Sequence, residues 1–337
     1  MTSLPEQKRQ GDALARLVIE AARSPRLVEA LRRDPDTLLA EAGLSAEEQD
    51  AVRRRDWPAI CRLVARASPP RSRQPRDSNE FDGSGTLTVV GTGLRVGGQW
   101  TPEAEAQLQD ADRLFTLGLD PVTRWWLSSQ HTDVSSLARE FAPGTPREAS
   151  KRRSVRRVLD SARGGARTCL VLYGHPGVFA DLGHAAVRGA REAGLEARML
   201  PGISAEDSLI ADLGVDPARG RQCFEATDFL LRRSVDPSLD LVLWQIGAIG
   251  TTITAAGELW NRAGLEYLVE VLGRHYPADH RVCLYEATFS ALCDAKILHL
   301  PLKELPTAPV TIVSTLYIPA AREQAINEDA ALRLGLR

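Results

Sequence analysis

The chain has 337 residues, is 43% hydrophobic, and carries a formal net charge of −2 from 42 basic and 44 acidic side chains. That length supports two or three domains with a sizeable core, and the near-neutral balance excludes general binding to nucleic acid or to an anionic membrane surface. No apolar run approaches the roughly 18–20 residues of a membrane span, and the polar start MTSLPEQKRQ is no signal peptide, so a soluble, cytoplasmic protein is expected.

The first zone, residues 1–67, reads as a small all-helical domain. Apolar residues recur at helical spacing in Leu14, Leu17 and Val18, then Leu27 and Leu31, then Leu38 and Leu39. The pairs Ser24-Pro25 and Asp34-Pro35 place proline in the first helical turn behind a capping residue. Gly43 ends a helix, and Ser45 with Glu48 forms a capping box for the next. Residues 68–85, SPPRSRQPRDSNEFDGSG, have a linker composition.

From Thr86 strands and helices alternate for over 200 residues. TLTVVG, TCLVLYG, EARML, LDLVLWQ, HRVCLYEA and APVTIVSTLYIP read as strands, and TPEAEAQLQD, PREASKRRSVRRVLDSARGG, LGHAAVRGAREAGL, AEDSLIADLG and GLEYLVEVLGRH as helices. The pattern predicts layered α/β structure with largely parallel pairing, and ligands beyond the carboxyl ends of strands. The C-terminal residues 322–337 read as a charged helical tail.

Small-residue loops sit at such strand ends: Gly91–Gly93, Tyr173–Phe179, Pro201–Ser204 and Gln245–Gly247. GTGLRVGG lacks the third glycine of a dinucleotide fingerprint, since Val96 stands there, and no acidic residue follows at the expected distance. No P-loop motif occurs. The five cysteines include no C-x-x-C pair and the six histidines show no metal-ligand spacing, so reduced core thiols and no metal site are expected.

In order along the chain, GTLTVVGTGL, LYGHPGVF, ARMLPGISAEDSLIADLG, CFEATDFLLR, LVLWQIGAIG and VSTLYIP resemble the peptide backbone α-N-methyltransferases of borosin biosynthesis, within the tetrapyrrole (corrin/porphyrin) methylases. The resemblance implies two α/β subdomains, about 86–202 and 203–321, within a methyltransferase domain at 86–321. It implies S-adenosylmethionine (SAM) in the cleft between them and S-adenosylhomocysteine as product. The methionine end of SAM is then expected against Gly174, His175, Pro176, Val178 and Phe179, with Ser204 and Ala205 facing the sulfonium. Trp244, Gln245 and Ile246, Tyr285, Glu286 and Ala287, and Val313, Ser314 and Thr315 are expected around the adenosine, largely through backbone. DPDTLLAEAGLSAEEQDAVRRRDWPAICRLV resembles, over a shorter stretch, the helical borosin-binding domain of precursor proteins.

An amide nitrogen is a poor nucleophile because its lone pair is delocalised into the carbonyl. Methylating it needs an acceptor for the N–H proton and a donor for the developing oxyanion. By resemblance, Arg147 takes the oxyanion role. The family's tyrosine positions fall on Lys151, the base position, and on Phe141, while Tyr173 is the one tyrosine retained nearby. The proton then goes to Lys151, Tyr173 or water, or the chain is catalytically impaired.

Neither residues 68–85 nor the tail resembles an apolar, β-branched methylated core, so the substrate is expected to be a separate precursor peptide. A homodimer is expected from the family. The alternatives are a tetrapyrrole-type small-molecule methylase and a SAM- or precursor-binding scaffold without turnover.

Overall fold

The computed structural model describes residues 4–66, 85–131, 133–232, 234–257 and 259–336, with the backbone alone for residues 4–10. All of the expected linker except Gly85 lies outside them. Five helices come first: α1 (Leu4–Arg23), α2 (Pro25–Arg33), α3 (Pro35–Glu41), α4 (Ala46–Arg53) and α5 (Trp57–Arg66). The caps are those the sequence announces, with Ser24 accepting from the Leu27 amide, Asp34 from the Thr37 amide, and a complete Ser45/Glu48 capping box. At 20 residues α1 is the longest of the five.

There follow β1 (Thr86–Gly91), α6 (Pro102–Asp110), β2 (Arg113–Leu117), α7 (Pro121–Gln130), β3 (Val134–Ser136), α8 (Arg147–Arg163), β4 (Arg167–Leu172), α9 (Asp181–Glu192) and β5 (Glu196–Met199). These strands form one parallel sheet in the order β3-β2-β4-β1-β5. One face carries Leu87, Val89, Leu170 and Leu172, packed with Val158 and Leu159 of α8 and Ala186 of α9.

Next come α10 (Ala205–Leu213), β6 (Arg221–Glu225), α11 (Ala226–Arg232), β7 (Asp240–Trp244), α12 (Arg262–Leu272), β8 (Arg281–Glu286), β9 (Lys296–Pro301), β10 (Thr315–Ile318) and α13 (Glu328–Arg333). The second sheet runs β6-β7-β10-β8-β9, and here the expectation of largely parallel pairing fails. Only β6 and β7 are parallel; β10 pairs antiparallel with β7 and β8, and β8 pairs antiparallel with β9. No helix separates β8 from β9, so the chain doubles back instead of crossing over.

The described residues form two compact units. One holds the chain up to Ser208 together with Ala287–Ala295; the other holds Leu209–Glu286 and the chain from Lys296 onward. The N-terminal helices therefore belong to the same unit as the parallel sheet. Leu14, Val18, Ile60 and Val64 share one apolar core with Val90, Leu114 and Val171 of the strands and Trp125 of α7. Polar contacts fix the join: Trp125 Nε1 donates to Asp12 Oδ1 at 2.7 Å, and Arg23 Nε donates to the Gly97 carbonyl at 3.1 Å.

The excursion between β8 and β9 also belongs to this first unit. The Phe289 carbonyl accepts from the Val96 amide at 2.9 Å, and Arg55 reaches Asp294 at 2.5 Å. Thr288 Oγ1 closes the turn on the Ser290 carbonyl at 2.9 Å.

Candidate active site

The loops that follow β1, β4 and β5 meet at the carboxyl ends of the parallel strands. Gly93 and Gly174 form an antiparallel bridge, with the Gly174 amide donating to the Gly93 carbonyl at 3.0 Å. Both have positive φ, +63° and +69°, where glycine carries no steric penalty. A Cβ on Gly91 would stand 2.0 Å from the Gly174 carbonyl oxygen, and one on Gly177 would stand 2.7 Å from Met199 Sδ. Gly202 brings the third loop to 3.5 Å from the same Gly174 oxygen, measured from an ideal Cβ. Glycine at these positions is what lets the three loops pack backbone against backbone.

His175 stabilises the loop that contains it. Its Nδ1 accepts from the Gly177 amide at 3.0 Å, which leaves the proton on Nε2, and His184 Nε2 meets the Gly177 carbonyl at 2.8 Å. Burial pulls the His175 imidazole below its ordinary value, with Asp207 opposing and His184 adding to the fall, so the ring is neutral at pH 7. Phe179 closes the loop in a left-handed conformation, φ +50°, with its ring exposed. For a bulky residue that backbone conformation is a strained one. Ser204 is buried, and its hydroxyl and amide both bond Asp207 Oδ2, at 2.8 and 2.7 Å, as the cap of α10. Ala205 opens that helix.

Tyr173, which begins the loop, is half-buried and lies against the Phe289 ring, with centroids 5.4 Å apart. Phe289 in turn stacks on Trp57 of α5, at 6.2 Å and an interplanar angle of 1°. Burial pushes the Tyr173 hydroxyl well above its ordinary range, and the nearby Asp120 carboxylate adds to the rise. A phenol in that state stays protonated near neutral pH. Asp120 caps α7, accepting from the Val122 and Thr123 amides at 2.9 Å each. Burial raises its own pKa despite those bonds.

Arg147 opens α8 at its first turn, partly buried. Phe141 ends a 3-10 turn just before it and offers no proton acceptor. Lys151, one turn into α8, does not suit a base. It donates to Glu148 Oε1 at 2.9 Å and to Asp181 Oδ2 of α9. Partial burial works to lower its pKa, but these two carboxylates outweigh it, and the net shift is upward, so the group stays a protonated ammonium.

The remaining expected cofactor positions, apart from Ala287, gather within the second unit. Gln245 turns the chain after β7 with φ +59°, and a Cβ on Gly247 would stand 2.3 Å from the Thr311 carbonyl oxygen. Glu286 Oε1 accepts from Thr311 Oγ1 at 3.0 Å, from Ser314 Oγ, and from Lys296 Nζ at 3.0 Å. This binds the end of β8 to the loop before β10. Trp244, Ile246, Tyr285, Ser314 and Thr315 are buried, with Trp244 Nε1 on Cys223 Sγ at 2.8 Å and the Tyr285 hydroxyl on Asp212 at 2.8 Å. Their side chains are spent on the core, which leaves backbone and the exposed Val313 to meet a ligand. Ala287 lies in the first unit.

Sequence reasoning missed Asp120, Phe289 and Trp57. The Asp120-Pro121 pair is a helix-start signal that points to α7. Phe289 and Trp57 carry no local signal, because their meeting depends on where the β8–β9 excursion lands.

The arrangement defines an α/β protein with close-packed small-residue loops at the carboxyl ends of its parallel strands. The chain belongs to the Tetrapyrrole (Corrin/Porphyrin) Methylases, whose family model matches residues 86–306. It is 35% identical over 275 residues to a methyltransferase/ribosomally synthesized type III borosin cyclic peptide precursor of Anomoporia bombycina, covering 80% of this chain and 32% of that protein. It is 36% identical over 260 residues to the methyltransferase/omphalotin A precursor of Omphalotus olearius, covering 75% and 62%. The chain thus spans less than two thirds of the length of these curated relatives. Among solved structures, uroporphyrin-III-C-methyltransferase from Thermus thermophilus superposes with a TM-score of 0.50 at 18% identity, over 70% of this chain and 93% of that one. Diphthine synthase gives a TM-score of 0.50 at 15% identity, over 71% and 91%. These two likenesses carry the fold.

Proposed function

We propose that this chain transfers methyl groups from SAM to backbone amide nitrogens of a ribosomally made precursor peptide supplied in trans. The supporting observation is the convergence of Gly91, Gly174 and Gly202 at one sheet end, in a chain 35% identical to a protein named as both methyltransferase and borosin precursor. The residues present fit SAM: a glycine cradle with a neutral histidine at Gly174–Phe179 suits its zwitterionic methionine end.

When bound, SAM supplies an electrophilic methyl group. Arg147 stabilises the negative charge that the substrate carbonyl oxygen takes up as the amide nitrogen loses its proton, a task that suits its planar guanidinium. Tyr173, held protonated, orients the peptide by donating a hydrogen bond. With Lys151 locked as an ammonium and Phe141 inert, the N–H proton leaves to water. The protein works as a cytoplasmic homodimer. Among the described residues no helix is long and apolar enough to cross a membrane.

The state of Lys151 also favours a second reading, in which the chain binds SAM and precursor without turnover. Co-expression with precursor-like small proteins, read by intact mass, separates the two. Added methyl masses support transfer, and unmodified peptide with demonstrated SAM binding supports the scaffold.

A further inference from the structure

Helix α8 is unevenly neutralised. It carries seven basic residues against two acidic ones. On one flank Arg153 and Arg157 both pair with Glu140, at 2.8 and 3.3 Å. The opposite flank faces α9 across a cavity of about 310 Å³, rimmed by Lys151, Arg152, Arg156 and Arg163 over a floor that includes Val155 and Leu159. Arg152 and Arg156 are exposed and have no ion-pair partner among the described residues. Like charges at i and i+4 repel, and cations near a helix N-terminus oppose its dipole. On this flank Lys151 pairs with Glu148 and Asp181 and Arg163 with Asp160, which leaves Arg152 and Arg156 as the cations open to a ligand.

The groove also has a direction. In a β-α-β unit the helix N-terminus lies at the carboxyl ends of the parallel strands, so the Lys151 end is the end nearest the glycine loops. Lys151 pairs with Asp181, the first residue of α9, directly after the loop that ends at Phe179 and Ala180. From Lys151 to Arg163 the track extends about 18 Å along the helix.

We propose that the α8–α9 groove docks an acidic, leucine-type segment of the substrate peptide, adjoining the stretch that is methylated. This rests on the reading of the chain as a peptide methyltransferase. The apolar floor selects a peptide with alternating acidic and apolar faces over a polyanion, and the chain's overall charge of −2 gives nucleic acid no wider basic surface to follow.

Fluorescence anisotropy with the full chain tests this. The probe is a fluorescein-labelled peptide of about 14 residues with glutamates and leucines at helical spacing. Binding is expected to weaken with salt and to fall about tenfold or more in the Arg152→Glu/Arg156→Glu variant. It is expected to stay within about twofold in Arg153→Glu/Arg157→Glu, which makes the same charge change on the other flank. Circular dichroism and SAM titration confirm that each variant is folded. Equal affinity of wild type and R152E/R156E overturns the proposal. So does absence of peptide binding, equal binding of a lysine-for-glutamate peptide, or tighter binding of a single-stranded oligonucleotide. Methyl transfer is measured separately, so docking without transfer refutes only the enzymatic reading, and transfer without docking refutes only this one.

Discussion

Phe289 lies against Tyr173 with ring centroids 5.4 Å apart and planes inclined at 29°. The contact ties the β8–β9 excursion to the first residue of the His-Pro-Gly loop, and Trp57 backs it from α5. Replacing Phe289 with Ala is expected to cost about 1–3 kcal/mol of stability and to weaken SAM binding through Tyr173. Phe289→Leu, which keeps most of the volume, is expected to restore stability but only part of the cofactor affinity. Thermal melts and calorimetric SAM titration of both variants check this.

Arg147 is expected to act through its fork geometry as well as its charge. Arg147→Lys retains the charge and loses the planar pair of donors, so kcat falls by about tenfold or more, and Arg147→Ala by about a hundredfold or more. Circular dichroism confirms that both variants are folded. Equal rates for Lys and Arg would remove the planar-donor argument.

Lys151 is expected to behave as an anchor between α8 and α9. Lys151→Met should leave the pH dependence of turnover unchanged and cost at most about 1 kcal/mol, since both ion-pair partners are largely exposed. A pH–rate profile that loses its rise with increasing pH in this variant would restore Lys151 as a base.

His175 gives the site a pH dependence with a definite sign. Burial holds its native pKa below the ordinary 6.5. The unfolded chain therefore takes up the proton more readily than the native one. The stabilising contribution is fully present above pH 6.5 and is lost as pH falls through the lowered native value, when a protonated Nδ1 can no longer accept from the Gly177 amide. His175→Asn keeps an acceptor that does not titrate, and its melting temperature should fall less between neutral and mildly acidic pH than that of the wild type.

Much of this architecture was legible from local chemistry. The caps at Ser24, Asp34 and Ser45, and the apolar runs of β1, β4 and β7, are decided within a few residues of chain. The glycine loops follow from the same logic, because Gly91, Gly174 and Gly202 mark where backbones must touch. What escaped was non-local. β3 is three residues long, and in β9 three successive exposed residues erase the alternation. The antiparallel return of β8 to β9 places Phe289 beside Tyr173, and no periodicity within either segment encodes that. Lys151 showed a different limit: its charge state depends on Asp181, thirty positions away.

The central claim is methyl transfer to backbone nitrogen, and one measurement addresses it directly. Purified chain is incubated with SAM and a precursor-like peptide, S-adenosylhomocysteine is quantified, and the methyl groups are located by fragment-ion mass spectrometry. Product stoichiometric with added methyl groups is expected, each carried on a main-chain nitrogen between identifiable residues, with loss of both signals in Arg147→Ala. Methyl groups confined to side chains, or SAM bound tightly with no peptide modified, would contradict it.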